Sequence, residues 1–200
     1  LFTISPSLGD SPEAICKSTP DPSYCKSVLP GNNQSANAYD YTRFSVRKSI
    51  SEANKFLKLV ESYQSPRRRS SLSASAVRAL EDCHFLANLN IEFLSTSLQN
   101  VATTTNETLP ASSVDSVQTF LSAILTNQQT CLDGLRTASS SWDDQLTRPL
   151  SSDTKLYSVS LALFAKTWKH KARKLKKGPK VARSLTSVQP PSSSFHNGRV

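Results

Sequence analysis

Two stretches in the middle of the chain repeat apolar residues every three or four positions, and each carries one cysteine inside the repeat. The first runs through Ala76, Leu80, Cys83, Ala87, Asn90, Leu94, Leu98 and Val101, the second through Val114, Val117, Leu121, Ile124, Gln128, Cys131 and Leu135. Steps of three and four keep side chains on one stripe of an α-helix. Two such stripes leave water only by facing each other or another apolar surface. The connection between them, residues 102–112, is short enough to force an antiparallel return. A bond between Cys83 and Cys131 would lock helix to helix.

The flanking sequence has the same period. Tyr39, Val46, Ile50, Ala53, Leu57 and Val60 predict a long helix that stops before Pro66. Arg67-Arg68-Arg69 then reads as a solvated loop, with protease cleavage or polyanion contact as the other readings. A polar connection over 136–149, containing Trp142, leads to a last helix capped by Ser152 or Asp153. That helix carries Leu156, Tyr157, Val159, Leu161, Leu163, Phe164 and Trp168 on a wide arc, as expected for packing on two neighbours. Five glycines in 200 residues and no alternating β-type runs complete the case for an all-α protein.

Upstream, residues 1–10 have no periodicity and read as a flexible lead-in. Ser11-Pro12-Glu13 and Asp21-Pro22 each offer a capping side chain followed by proline at the first helical position. Two helices of about two turns follow, kept apart by Pro20 and carrying Cys16 and Cys25, and the hairpin ends at Pro30-Gly31-Asn32-Asn33. Four cysteines allow three connectivities, and sequence alone does not choose among them. Pairing neighbours, Cys16 with Cys25 and Cys83 with Cys131, demands the least rearrangement. Chain-entropy arithmetic gives about 2.7 kcal/mol for the short loop and about 4 for the long one. The hairpin bridge is expected at the edge of the fold and the long one in its interior. Metal binding is the weaker reading, since no histidine pair accompanies the cysteines.

The chain contains no methionine, so the expectation is that a leader has been removed, and secretion would explain that together with the even cysteine count. Sequons at Asn33 and Asn106 fall in expected loops and are candidate glycosylation sites. No apolar run reaches the roughly 18 residues of a membrane span, so no membrane partner is expected. The formal charge of +9 is concentrated at one end. Eleven Lys and Arg, and no acid, follow Asp153, which leaves residues 1–153 with a net charge of −2 and no charge-based support for nucleic-acid binding. The 169–200 segment, basic and then rich in Pro and Ser, reads as a disordered linker, as a substrate for proteases at dibasic sites, or as a polyanion-binding tail.

No catalytic constellation can be assembled. His84 sits on a helix flank and His170 and His196 lie in the basic segment. Glu81 and Asp82 diverge by about 100° on a helix and cannot share a substrate proton. Gly-rich phosphate loops, nucleophile elbows and metal-ligand spacings are missing from the sequence, so no catalytic residue, metal or cofactor is assigned.

Four motifs carry a resemblance: Ile15-Cys16 and Tyr24-Cys25 around Thr19-Pro20-Asp21-Pro22; Ala79-Leu80-Glu81-Asp82-Cys83; Ser122-Ala123-Ile124-Leu125-Thr126-Asn127-Gln128-Gln129-Thr130-Cys131; and Tyr157-Ser158-Val159-Ser160-Leu161-Ala162-Leu163. Over residues 11–168 the chain resembles a plant invertase and pectin methylesterase inhibitor domain, in particular the N-terminal pro-region of a pectin methylesterase. The resemblance implies an up-down-up-down four-helix bundle preceded by a helical hairpin, with bridges Cys16 to Cys25 and Cys83 to Cys131. It implies a secreted, non-catalytic domain of the plant cell wall that inhibits a pectin methylesterase in cis or in trans. An acid invertase inhibitor is the alternative within the family, whose invertase-directed members carry a Pro-Lys-Phe tripeptide that does not occur here. Arg173-Lys174-Leu175-Lys176 resembles the basic tetrapeptide at which such proproteins are cut by a processing protease, and Ser194 to Val200 resembles the linker toward a catalytic domain.

The inhibitory face is expected on the polar outer rows of the two central helices: Asn88, Glu92, Ser95 and Gln99 on one, Gln118, Ser122, Thr126 and Gln129 on the other. A reading from another class is a helical interaction module whose basic tail binds polyanions such as acidic pectin.

Overall fold

The computed structural model describes residues 11–31, 36–102, 108–138 and 145–169. The first three helices start where a side chain supplies an acceptor for their first free N–H groups. Ser11 Oγ accepts from the Ala14 N–H at 3.2 Å, with Pro12 at the first position of α1 (Pro12–Cys16). The Asp21 carboxylate accepts from the Tyr24 N–H at 2.9 Å and opens α2 (Pro22–Val28). Asn37 and Asp40 form a reciprocal capping box at the head of α3 (Ala38–Gln64). Then follow α4 (Pro66–Arg69), α5 (Ala74–Ala102), α6 (Ala111–Ala138), α7 (Thr147–Phe164) and a π-helical turn, Ala165–Lys169.

The four long helices occupy the corners of a bundle, with α5 packed on α3 and α6, and α7 packed on α3 and α6. Two apolar clusters are stacked along its axis. One joins Phe56, Val60, Leu80, Cys83, Cys131, Leu135, Leu146 and Leu150; the other joins Val46, Leu94, Val117, Leu121, Ile124, Tyr157, Phe164 and Trp168. Asn90 and Gln128 are also buried, and Asn127 Nδ2 donates to Asn90 Oδ1 at 2.8 Å across the α5–α6 seam. A third cluster, Ile15, Cys16, Cys25 and Leu29 against Tyr41, Val159 and Leu163, seats the α1–α2 hairpin on the bundle.

Both expected bridges are present, Cys16–Cys25 and Cys83–Cys131. The hairpin bridge is not at the edge: Cys16 and Cys25 are 0 % exposed, because Ile15, Leu29 and α7 close over them. Three further expectations are corrected. Arg67-Arg68-Arg69 forms the helical turn α4 rather than a loop, begun by Pro66 at its first position, while the three side chains stay exposed. The last helix begins at Thr147, before the expected cap, so Ser152 and Asp153 lie within it. Pro149 is compatible with this because the first turn has no intrahelical acceptor for its missing N–H. Residues 136–138, read as connection, are the end of α6.

The α3 stripe is also more polar than its apolar period suggested. Thr42, Ser45 and Ser49 are 0 % exposed. Thr42 and Ser45 donate to carbonyls of their own helix, and Ser49 Oγ lies 3.0 Å from Ser160 Oγ of α7. Small side chains with satisfied hydroxyls let α3 and α7 approach closely, while Tyr39, Ile50 and Leu57 pack at the flanks, half-buried. The lead-in 1–10, Asn33, Asn106, Trp142, His170, His196 and the Arg173, Lys174, Leu175, Lys176 tetrapeptide lie outside the described residues. No described helix is long and apolar enough to cross a membrane.

Candidate functional site

The helices α5 and α6 are held together along a seam of inward contacts. Cys83–Cys131 brings the two backbones to 4.8 Å between Cα atoms, and Phe93 stacks on Phe120 with ring centroids 4.9 Å apart. Together with the Asn127–Asn90 bond, these contacts mark the seam and so fix which residues point elsewhere.

Six of the eight expected face residues are exposed and two are half-buried. Asn88, Glu92 and Gln99 are exposed and Ser95 is half-buried; Ser122, Thr126 and Gln129 are exposed and Gln118 is half-buried. Asn88 Nδ2 donates to the His84 carbonyl at 2.9 Å, and Gln129 Nε2 donates to Asp133 Oδ1 at 2.7 Å, both within one helix. Gln99 has a partner of its own. The eight do not merge into one patch. At about 100° per residue, the α5 row stands 100° or more from Phe93 and the α6 row stands 120° or more from Phe120. The rows therefore occupy opposite shoulders of the pair, with the seam between them. Gln118, Ser122 and Thr126 do come together, lining with Asp115, Thr119 and Ala123 a shallow open trough of about 540 Å³ along α6.

Between the shoulders lies a residue that the outer-row reading omitted. Phe85 is 66 % exposed, the large apolar side chain that stands out in water among the described residues, and half-buried Leu89 follows it by one turn. An apolar residue about 200° from Cys83 was the available signal, since that angle places it opposite the core stripe. The charge of this side is negative: α5 and α6 carry Glu81, Asp82, Glu92, Asp115 and Asp133 against Arg78 and Arg136.

The titratable groups do not assemble a catalytic pair here. Arg69 binds Glu81 at 2.6 Å, and His84 reaches Glu61 of α3 at 3.6 Å, so both are used in tying helices together. The perturbed groups sit elsewhere, where α2 meets α7 and α3. Burial, and then the nearby Glu52, pushes the Asp153 carboxyl up to about 7. Burial likewise raises Tyr157, whose hydroxyl faces Gln128 without the geometry of a hydrogen bond, and raises Tyr24.

Comparison with known proteins agrees with this architecture. Residues 10–163 match the family model described as plant invertase/pectin methylesterase inhibitor. Among curated proteins, probable pectinesterase/pectinesterase inhibitor 41 of Arabidopsis thaliana is 50% identical over 169 residues, covering 82% of this chain and 29% of the relative. Probable pectinesterase/pectinesterase inhibitor 20 of the same plant is 46% identical over 165 residues, covering 82% and 28%. The chain thus spans less than a third of the length of these relatives. Among solved structures, a pectin methylesterase inhibitor from Arabidopsis thaliana superposes with a TM-score of 0.56 at 19% identity, over 78% of this chain and 94% of that one. A mutant form of a pectin methylesterase inhibitor from Arabidopsis gives 0.61 at 18%, over 79% and 98%, and at these identities the likeness concerns the fold.

Proposed function

The chain belongs to the plant invertase/pectin methylesterase inhibitor family, and from that premise we propose that it is a non-catalytic inhibitor domain that occludes the active-site cleft of a pectin methylesterase with the outer sides of α5 and α6. The observation that carries the choice of face is the outer side of this pair: polar rows on both shoulders, Phe85 exposed between them, and inward contacts that join the two helices beneath. A rigid helical surface with one exposed aromatic group loses little entropy on docking.

The relatives named pectinesterase/pectinesterase inhibitor support a place within a longer secreted proprotein of the cell wall. On this reading residues 11–168 are the inhibitor domain and 169–200 the linker, cut at Arg173, Lys174, Leu175 and Lys176 by a processing protease, with Asn33 and Asn106 glycosylated on the way out. The target is met in cis before cleavage or in trans after it. The invertase alternative loses support because the sequence has no Pro-Lys-Phe tripeptide.

The test is a titration of an 11–168 fragment into a pectin methylesterase, following methyl-ester hydrolysis between pH 5 and 7.5. Slowing of the enzyme with a saturating dose response is expected. If the fragment leaves pectin methylesterases untouched and slows an acid invertase, the target changes while the family role stands. The basic-tail reading is separated by the same fragment: binding to polygalacturonate that disappears without residues 169–200 would favour it.

A further inference from the structure

The α1–α2 hairpin is tied at two points fourteen residues apart, to α7 and to the π-helical turn that continues it. At one, Lys166 Nζ donates to the Ala14 carbonyl at 3.0 Å and the Ile15 carbonyl at 3.3 Å, which caps the end of α1 from another helix. At the other, the Tyr24 hydroxyl donates to the Ser152 carbonyl at 3.1 Å. The residue after Ser152 is Asp153, only 6 % exposed, and no donor among the described residues reaches its carboxyl group.

Its surroundings are unfavourable to a negative charge. From α3 it faces Glu52 and Lys55, but Lys55 already pairs with Glu52 at 2.9 Å. From α2 come Tyr24 and, behind it, Asp21; from α7 itself come Tyr157 and Lys155, whose ammonium lies 5.8 Å from the centre of the Tyr24 ring. The α6 side brings the neutral Gln128, next to Tyr157. An ionised Asp153 would therefore be a second carboxylate beside Glu52 with its water removed, a costly arrangement unless the site opens.

We propose that Asp153 is a pH-sensitive latch for the hairpin: as a neutral acid it lets α2 seat on α7, and as a carboxylate it draws in water and lifts α2 from the bundle. The hairpin is the part that gives way because a small apolar cluster and two polar ties hold it, whereas α3, α5 and α6 share the two large clusters. The sign follows from proton binding. The seated form keeps its proton up to about pH 7, while the opened form releases it in the ordinary carboxylate range. Seating is therefore complete below about pH 4, weakens as pH rises from about 4 to about 7, and levels off above that.

The test is hydrogen exchange on the whole chain at pH 5 and pH 8, expressed as protection factors so that the intrinsic pH dependence of exchange cancels. Amides of Ile15, Cys25 and Leu29 are expected to lose protection by about tenfold or more at pH 8, while those of α5 and α6 keep theirs. Asp153→Asn should hold the hairpin equally at both values, and Glu52→Gln should shrink the difference. Equal protection of the wild-type hairpin at the two pH values, the same loss in Asp153→Asn, or a uniform loss across the bundle would each overturn the latch. Should Asp153→Asn not fold, a carboxyl-carbon NMR titration of the wild type decides: a midpoint near 7 supports the latch, and one near 4 overturns it.

Discussion

Ser49 and Ser160 show what a single buried contact does in this protein. Both are 0 % exposed, and they face each other from α3 and α7 at 3.0 Å. Replacing one with alanine leaves the other hydroxyl with a fallback acceptor on its own helix, so Ser49→Ala should cost about 1 kcal/mol in urea unfolding. The double alanine variant should recover most of that, and a cycle with strictly additive costs would mean the contact is not made. Phe85 is the opposite case. At 66 % exposed, Phe85→Ala should leave stability within about 0.5 kcal/mol of wild type, yet weaken pectin methylesterase inhibition by about tenfold or more if the α5–α6 side docks. Unchanged inhibition in a fully folded variant would move the docking surface elsewhere. The core half of the site was legible because Leu80, Cys83, Leu94, Val117, Leu121 and Ile124 obey one period. Phe85 was not, because an outward row chosen by polarity passes over an apolar residue, and Asp153 was read as a cap because acids near a helix start usually are.

At the scale of elements, the start of α7 separates what sequence carries from what packing adds. Thr147-Arg148-Pro149 looked like the end of a connection because proline breaks helices in their interior. It is tolerated here because Leu146 and Leu150, both 0 % exposed, are pulled into the cluster around Cys83 and Cys131 and so draw the first turn into register. Pro149→Ala should therefore change stability by less than about 0.5 kcal/mol, since the missing N–H has no acceptor to lose. Ser152→Pro, one turn further in, removes a ladder bond and should cost about 3 kcal/mol or more. Thermal unfolding of the two variants checks both, and a tolerated Ser152→Pro would restore the later helix start. The turn at α4 has a similar cause: Arg69 pairs with Glu81 of α5, and Arg68 lies 4.8 Å over the Tyr63 ring, contacts between segments that a reading of three consecutive arginines cannot contain.

For the whole molecule, the two disulfides close loops of very different length within one fold. The separations are 9 residues for Cys16–Cys25 and 48 for Cys83–Cys131, so restriction of the unfolded chain favours the longer bridge, about 4 against about 2.7 kcal/mol. Burial does not distinguish them, because all four cysteines are 3 % exposed or less. What does is the structure that must open before a thiolate can attack. Reaching Cys16 and Cys25 requires only the hairpin to lift from Val159 and Leu163, whereas reaching Cys83 and Cys131 requires α5 and α6 to part along a seam that also holds the Phe93–Phe120 stack. Under native conditions a dithiol should reduce Cys16–Cys25 first, with the bundle still folded, and reduce Cys83–Cys131 only on a timescale set by global unfolding. Peptide mapping after timed alkylation follows the two bonds separately. In urea, Cys83→Ala with Cys131→Ala should cost more than the hairpin pair, and the reverse order in either experiment would mean that the hairpin, rather than the α5–α6 seam, is the more firmly held part of the fold.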